Sequence, residues 1–465
     1  MLDFLAASPS EYWALAMFGV TFILLLTGYP VALVLGGNAL LFAFIASMVE
    51  PSLIRWFPIR AYPDRVFGII ENQVFLAIPP FIFMGIMLEK SSLAKNMLET
   101  MGKAFGHRPG GLGLSIIIVG MLLAASTGIA GSTVVVMGLI SLPTMIKAGY
   151  DKRLATGLIT ASGTLGQIIP PSIVLIVLAS QISAVMQANP TGLIPITSKD
   201  LFAAAFIPSF ILVGLYVIYL VYKSIRSPQS CPPLLQKGEK VGIGEFLMAV
   251  LIPLSLIIIV LGSMFLGIAS PTESASFGAV GALILAFING RIHKNFSLKT
   301  LLQVSHESVR ITTMVFTILI GAALFNLVFR GFGGDKVIEE FLTNLPGGKY
   351  AALFVIMLFI FFLGFFLDVM EIIFVIIPLV TPAILSLGID PLWFGILVGI
   401  NLQTSFLTPP FGFALFFLAG VAPKEIQTAD IYKGAIPFVI IQIIMMIILF
   451  AVPNIVHWHE YIFPS

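Results

Sequence analysis

The amino-acid sequence predicts an all-α polytopic membrane protein built from two related halves, each with a re-entrant helical hairpin and a broken transmembrane helix. Three observations support this. Of 465 residues, 58% are hydrophobic and only 10% are charged, with a mean hydropathy of +1.07, whereas soluble domains carry about 25% charged residues. Apolar stretches recur along the whole chain, many of them about 20 residues long, the length a helix needs to cross a bilayer. A pattern of prolines and glycines in the first half returns, in order, in the second. Outer-membrane barrels would show short alternating strands, and the sequence has no such alternation.

Several classes are excluded. The net charge of +2 comes from basic residues scattered among loops and gives no nucleic-acid surface. The single cysteine, Cys231, rules out a disulfide framework. No GxxxxGK[ST] phosphate loop is present, so no nucleotide-driven step is implied. The N-terminus lacks the basic region of a cleaved signal, and the apolar run after Glu11 is read as a first retained helix.

Apolar segments fall at 12–28, 30–49, 74–89, 112–146, 154–182, 201–222, 246–268, 272–289, 305–329, 350–389, 391–420 and 433–453. Segments 112–146 and 350–389 are too long for one crossing and too short for two. Both carry small or polar residues at their middle, so each is read as a hairpin that turns within the membrane. Lys and Arg in short loops set the orientation. Lys223, Arg226, Lys237 and Lys240 in one loop, and Arg291, Lys294, Lys299 and Arg310 in another, place both in the cytoplasm. In 50–71, Glu50, Asp64 and Glu71 balance Arg55, Arg60 and Arg65, and an interfacial helix is expected. "AIPP" at 77–80 is expected as a hinge, and Thr272 with Glu273 as the cap of the helix that follows them.

Pro109-Gly110-Gly111 recurs as Pro346-Gly347-Gly348, at an offset of 237 residues. At an offset of 239, Pro143, Gly149 and Asp151 match Pro382, Gly388 and Asp390, and Pro170-Pro171 matches Pro409-Pro410. With each hairpin counted as no crossing, an odd number of spans separates the two copies. The second is therefore expected upside down. Inverted repeats with broken helices are the architecture of secondary transporters, with their sites near the midplane.

The first hairpin turns at Ser126-Thr127-Gly128-Ile129-Ala130-Gly131-Ser132. Irregular backbone at this depth is tolerated only where it is buried or lines a cavity. Free carbonyls with hydroxyl oxygens suit Na⁺, and exposed amides suit a carboxylate; close packing of small residues is the competing reading. Pro170 and Pro171 lack amide hydrogens and open the helix around Gly166–Ile169, with Gln167 beside the break. The matching break has Asn401, Gln403, Thr404, Ser405 and Thr408 ahead of it. Asp368, with Glu371 one turn on, is a carboxylate at membrane depth and so a functional candidate. A Na⁺ site, a protonation site or a pair with a nearby cation such as Arg330 each explains it. Arg330 suits a bidentate clamp on a substrate carboxylate, or an interfacial arginine reaching for the headgroups. His293, His306, His457 and His459 show no metal-ligand spacing, and no nucleophile–base constellation points to an enzyme.

"PPFIFMGIMLEKSSLAKNMLETM", "LLAASTGIAGSTVVVMGLISLPTMIKAGYDKRLATGLITASGTLGQIIPPS", "GIASPTESASFGAVGA" and "FLTPPFGFALFFLAGVAP" resemble the large membrane subunit of tripartite ATP-independent periplasmic (TRAP) transporters over nearly the whole chain. The resemblance implies a Na⁺-driven, elevator-type carrier of a small organic acid in the bacterial inner membrane. It implies a small four-helix membrane subunit and a periplasmic substrate-binding protein as partners, and no cofactor beyond Na⁺ as coupling ion. Carried over, one Na⁺ site involves Ser126, Gly166, Ile169 and Pro170, and a second Gly364, Asp368, Thr404 and Thr408. Substrate contacts are expected at Thr127, Ser132, Ser172 and Arg330. Scaffold parts are expected at 1–111 (with an amphipathic arm), 183–349 and 421–465, and transport halves at 112–182 and 350–420. Pro63-Asp64-Arg65 and "VFRGFGG" resemble a branch associated with 2-oxo acids and related monocarboxylates. The other classes weighed are a stand-alone cation-coupled dicarboxylate carrier and a scaffold protein or membrane enzyme.

Overall fold

A computed structural model describes residues 9–49, 57–91, 93–128, 130–188, 192–233, 242–293 and 297–458. Glu50, Arg55, Ile129, Lys237, Lys240, Lys294 and His459 lie outside the described residues. Every regular element among those described is a helix, and seven helices are long and apolar enough to cross a bilayer unaided. Two of the seven, Ala130–Lys147 and Val369–Ser386, are the second arms of hairpins, and other apolar segments are cut short by the features that mark the repeat. Gly111–Thr127 and Ala130–Lys147 form the first hairpin, Gly348–Leu363 and Val369–Ser386 the second. The two broken segments divide into Lys152–Thr164 and Ile173–Ala188, and into Pro391–Leu407 and Phe413–Val421.

Backbone geometry repeats where the sequence does. Gly110 and Gly347 open their hairpins with φ of +82° and +110°, and Gly149 and Gly388 close them with +84° and +64°, conformations glycine adopts without steric cost. Asp151 Oδ1 accepts the Leu154 amide, and Asp390 Oδ1 the Leu392 amide, each at a helix start. The Pro170-Pro171 and Pro409-Pro410 bonds are both cis.

The chain packs as two compact units. One comprises Met1–Phe75, Val177–Thr197 and Ile311–Gly395. In it Asn38 reaches across from Val31–Val49 to the Met17 carbonyl and Thr21 Oγ1 of Pro9–Leu25, a buried polar tie between two apolar helices. Aromatic pairs such as Phe18–Phe329 and Trp13–Phe332 fill the space around it. Tyr62–Glu71 has no buried residue and ends at Asn72, which fits the expected interfacial helix.

The other unit comprises Leu76–Ile176, Ser198–Arg310 and Ile396–Ser465. At its centre Lys152–Thr164 is buried from Leu154 onward. Gly157 and Gly434 bring this helix against Thr428–Ala451 so closely that a Cβ on Gly157 would lie 2.1 Å from the Gly434 carbonyl oxygen. Gly113, in the first turn of the first hairpin, has no intrahelical acceptor for its amide; the Tyr150 hydroxyl oxygen accepts it at 3.2 Å. Burial pushes the Tyr150 phenol up to about 12. Tyr150→Phe keeps the ring and orphans this buried amide, at an expected cost of about 1–3 kcal/mol. A thermal midpoint equal to wild type in detergent would contradict that.

Two local expectations are corrected. The cap after the "GIASPTES" turn is Ser270, whose amide is accepted by Glu273 Oε2 while its Oγ accepts the Glu273 amide; Thr272 lies inside the helix Pro271–His293. Pro79 and Pro80 sit in the first turn of Ile78–Lys90, where proline is tolerated, and form no mid-span hinge.

Candidate functional site

The first hairpin tip is seated on the first break. Ser126 and Thr127 end the first arm, and Gly128 caps it with φ +62° and an amide bonded to Ala124 O. A Cβ on Gly166 would lie 2.7 Å from that same Ala124 oxygen, and one on Gly128 would lie 2.9 Å from the Ile173 amide nitrogen. The tip therefore touches both sides of the break, at Gly166 and at Ile173. Past a 3₁₀ turn at Leu165–Gln167 the chain is non-helical until Ile173. The Gln167 carbonyl accepts Ser172 Oγ–H and the Ile168 carbonyl accepts Ser209 Oγ–H. Among the described residues no hydrogen bond reaches the carbonyls of Gly166, Ile169 or Pro170. The break thus leaves three backbone oxygens unengaged beside the tip.

The two breaks also meet within this unit. Gln403 Nε2 donates to Thr164 Oγ1 at 3.3 Å, and these residues stand 239 apart, the repeat offset. Thr404 and Thr408 donate their hydroxyl protons to Ile400 O and Thr404 O, each at 2.7 Å, which leaves their oxygen lone pairs for a cation. Gly364 and Asp368 bound the turn of the second hairpin, in the other unit. Asp368 is the N-cap of Val369–Ser386 in a capping box, with Glu371 Oε2 accepting the Asp368 amide at 3.0 Å. Its partners are backbone amides and Glu371; among the described residues it makes no ion pair with Arg330.

Arg330 lines a cavity of about 300 Å³ together with Asp64, Arg65, Asn72, Gln181 and Asn326, at the lower end of the range for small-molecule pockets. Arg330 Nη2 donates to Pro378 O at 3.4 Å and Asn326 Nδ2 to Phe374 O at 3.0 Å. Arg330 Nε is buried without a partner. Ser132 Oγ donates to Glu89 Oε2 at 2.5 Å, so the protons of Ser132 and Ser172 are both engaged within the protein.

A family model for the DctM component of tripartite ATP-independent periplasmic transporters matches residues 18–455. The chain belongs to this family. It is therefore a transporter permease and no enzyme, a multi-pass membrane protein of a system completed by a small membrane subunit and a periplasmic binding protein. It is 30% identical to the C4-dicarboxylate TRAP transporter large permease protein DctM of Rhodobacter capsulatus, over 95% of this chain and 97% of that one. It is 27% identical to the sialic acid TRAP transporter permease protein SiaT of Haemophilus influenzae, over 97% of this chain and 68% of that one. In fold it is similar to the crystal structure of the Alcanivorax borkumensis YdaH transporter, with a TM-score of 0.62 at 14% identity, covering 97% and 99% of the two chains.

Three polar contacts of this DctM chain lay outside the sequence reading. Glu89 holds Ser132, Ser209 holds the Ile168 carbonyl, and Asn326 holds the Phe374 carbonyl. Glu89, in the apolar stretch before Lys90, was a legible signal because an unpaired carboxylate there is costly. Ser209 and Asn326 lie in spans rich in small and polar residues and give none of their own.

Proposed function

We propose that this DctM chain carries a small organic acid into the cell across the bacterial inner membrane together with Na⁺. It receives the acid from a periplasmic binding protein and works beside a small four-helix subunit. The observation that carries the reading is the seating of the first tip on the first break, with three carbonyl oxygens unengaged. Backbone oxygens at a broken helix are what a desolvated Na⁺ requires. Ser126, Gly166, Ile169 and Pro170 hold one ion; Thr404 and Thr408 offer hydroxyl oxygens to a cation in the same unit, and Gly364 and Asp368 offer a carboxylate and backbone in the other. The first arms of the hairpins, Gly111–Thr127 and Gly348–Leu363, have 17 and 16 residues and rise about 24–26 Å, short of the ~30 Å hydrocarbon core. That favours re-entrant hairpins over full crossings. In an elevator, 112–182 and 350–420 move as inverted transport halves against 1–111, 183–349 and 421–465.

The relatives named for C4-dicarboxylates and sialic acid take carboxylates; Arg330 suits a carboxylate in one unit, and Thr127, Ser132 and Ser172 suit one in the other. The two serines must turn from Gln167 and Glu89 to donate to it. The likeness of 63–65 and of "VFRGFGG" to a 2-oxo acid branch places monocarboxylates first. Reconstituted with its small subunit and loaded binding protein, the chain is expected to take up substrate with Na⁺ inward and to stop when K⁺ replaces Na⁺. Uptake unchanged in K⁺ rejects Na⁺ coupling, and uptake by the chain alone rejects dependence on the binding protein.

A further inference from the structure

The helix Val369–Ser386 contains two prolines one turn apart, Pro378 and Pro382. Proline has no N–H, and its ring displaces the carbonyl four residues earlier. These two therefore release the carbonyls of Phe374 and Pro378 from the helix ladder. Those are the two carbonyls that Asn326 Nδ2 and Arg330 Nη2 reach, at 3.0 and 3.4 Å. Asn326 and Arg330 also stand one turn apart, on one face of Leu298–Gly331. Two donors and two released acceptors of equal spacing form a ladder of two rungs.

The rungs are unequal. Asn326 has one strong bond, and because a carbonyl only accepts, that bond fixes which way its amide points. Arg330 has five N–H groups; its bond to Pro378 is near the limit of length for such contacts, and its Nε–H has no partner. It also lines the cavity, where Arg65 and Arg330 outnumber Asp64 and none of the three belongs to an ion pair among the described residues. A carboxylate on a guanidinium makes shorter, stronger bonds than a neutral carbonyl does. An acid in the cavity wins the competition for Arg330.

We propose that the Pro378 carbonyl is a built-in competitor for the substrate carboxylate on Arg330. An acid entering the cavity opens the Arg330 rung and leaves the second hairpin arm tied to Leu298–Gly331 by Asn326 alone. Pro382 and Asn326 are then positioning residues that make the arm responsive to occupancy. The proposal rests on the reading of Arg330 as the substrate arginine.

The test is calorimetric titration of the full chain in lipid nanodiscs containing NaCl, with pyruvate and with succinate as separate probes. Pro382→Ala restores the N–H that draws the Pro378 carbonyl back into its helix, and should tighten the better-bound acid about five-fold, the scale of one hydrogen bond. Pro378→Ala repairs only the Asn326 rung, leaves the carbonyl of residue 378 released, and should tighten binding less than Pro382→Ala does, whereas general straightening of the helix would shift both variants alike. Equal affinity for Pro382→Ala and wild type, or equal tightening by the two variants, overturns the competitor. Binding of neither acid to any of the proteins overturns it as well. If Arg330→Gln binds as wild type does, the reading of Arg330 as substrate arginine fails instead.

Discussion

Asp368→Asn is expected to lower Na⁺ affinity by about 10- to 100-fold while the protein remains folded. Asp368 caps a helix and, in the proposed ion site, carries a charge, and this substitution separates the two. As the N-cap of Val369–Ser386 it holds backbone amides in a capping box with Glu371, and asparagine caps about as well as aspartate. As a charge it offsets both the cost of burying a cation and the helix N-terminus, which presents about half a positive charge of its own. An N-terminus alone repels Na⁺, so the ion needs the carboxylate. Losing a charged partner costs about 1.5–3 kcal/mol, which sets the expected range. Asp368→Ala removes the cap too and should lose a further ~1 kcal/mol of stability. The check is the Na⁺ dependence of uptake in proteoliposomes, with the thermal midpoint measured on the same samples. A Na⁺ dependence within two-fold of wild type for the asparagine variant would remove Asp368 from the ion site.

How legible this was in the sequence depended on how locally each feature is determined. The hairpins and the breaks follow from prolines and glycines acting on their immediate neighbours, so their positions were readable to within a few residues. The pairing of Gln403 with Thr164 was implicit in the repeat, because two copies related by symmetry meet at equivalent positions. Asn326 was out of reach on its own, since an asparagine in a span has many uses. The acceptor was the readable part: Pro378 and Pro382 announce two released carbonyls, and a donor pair spaced by four on a packed helix had to answer them. Ser132 shows the opposite limit. The family resemblance implies a substrate contact there, and the carboxylate of Glu89, 43 residues away, accepts its proton, which no local pattern reveals.

Gly166→Ala tests the seating of the tip itself. The added methyl would stand 2.7 Å from the Ala124 oxygen, too close to remain without backbone movement. That oxygen already accepts the Gly128 amide in the cap of the arm, so the tip can yield only by shifting as a body away from the break. Overpacking of this kind costs about 1–3 kcal/mol, which the buried core of Lys152–Thr164 can absorb without unfolding. The proposed ion site cannot absorb it, because a shift of a few tenths of an ångström moves the tip against oxygens that must all meet one ion. Wild type is expected to gain thermal stability when NaCl replaces KCl, since any ligand that binds the native state alone stabilises it. Gly166→Ala should lose most of that gain and most of its uptake, whereas Gly420→Ala, where a Cβ meets nothing within 4 Å, should retain both. If Gly166→Ala keeps the Na⁺-dependent stabilisation of wild type, the first ion does not lie between this tip and this break, and the three unengaged carbonyls serve another purpose.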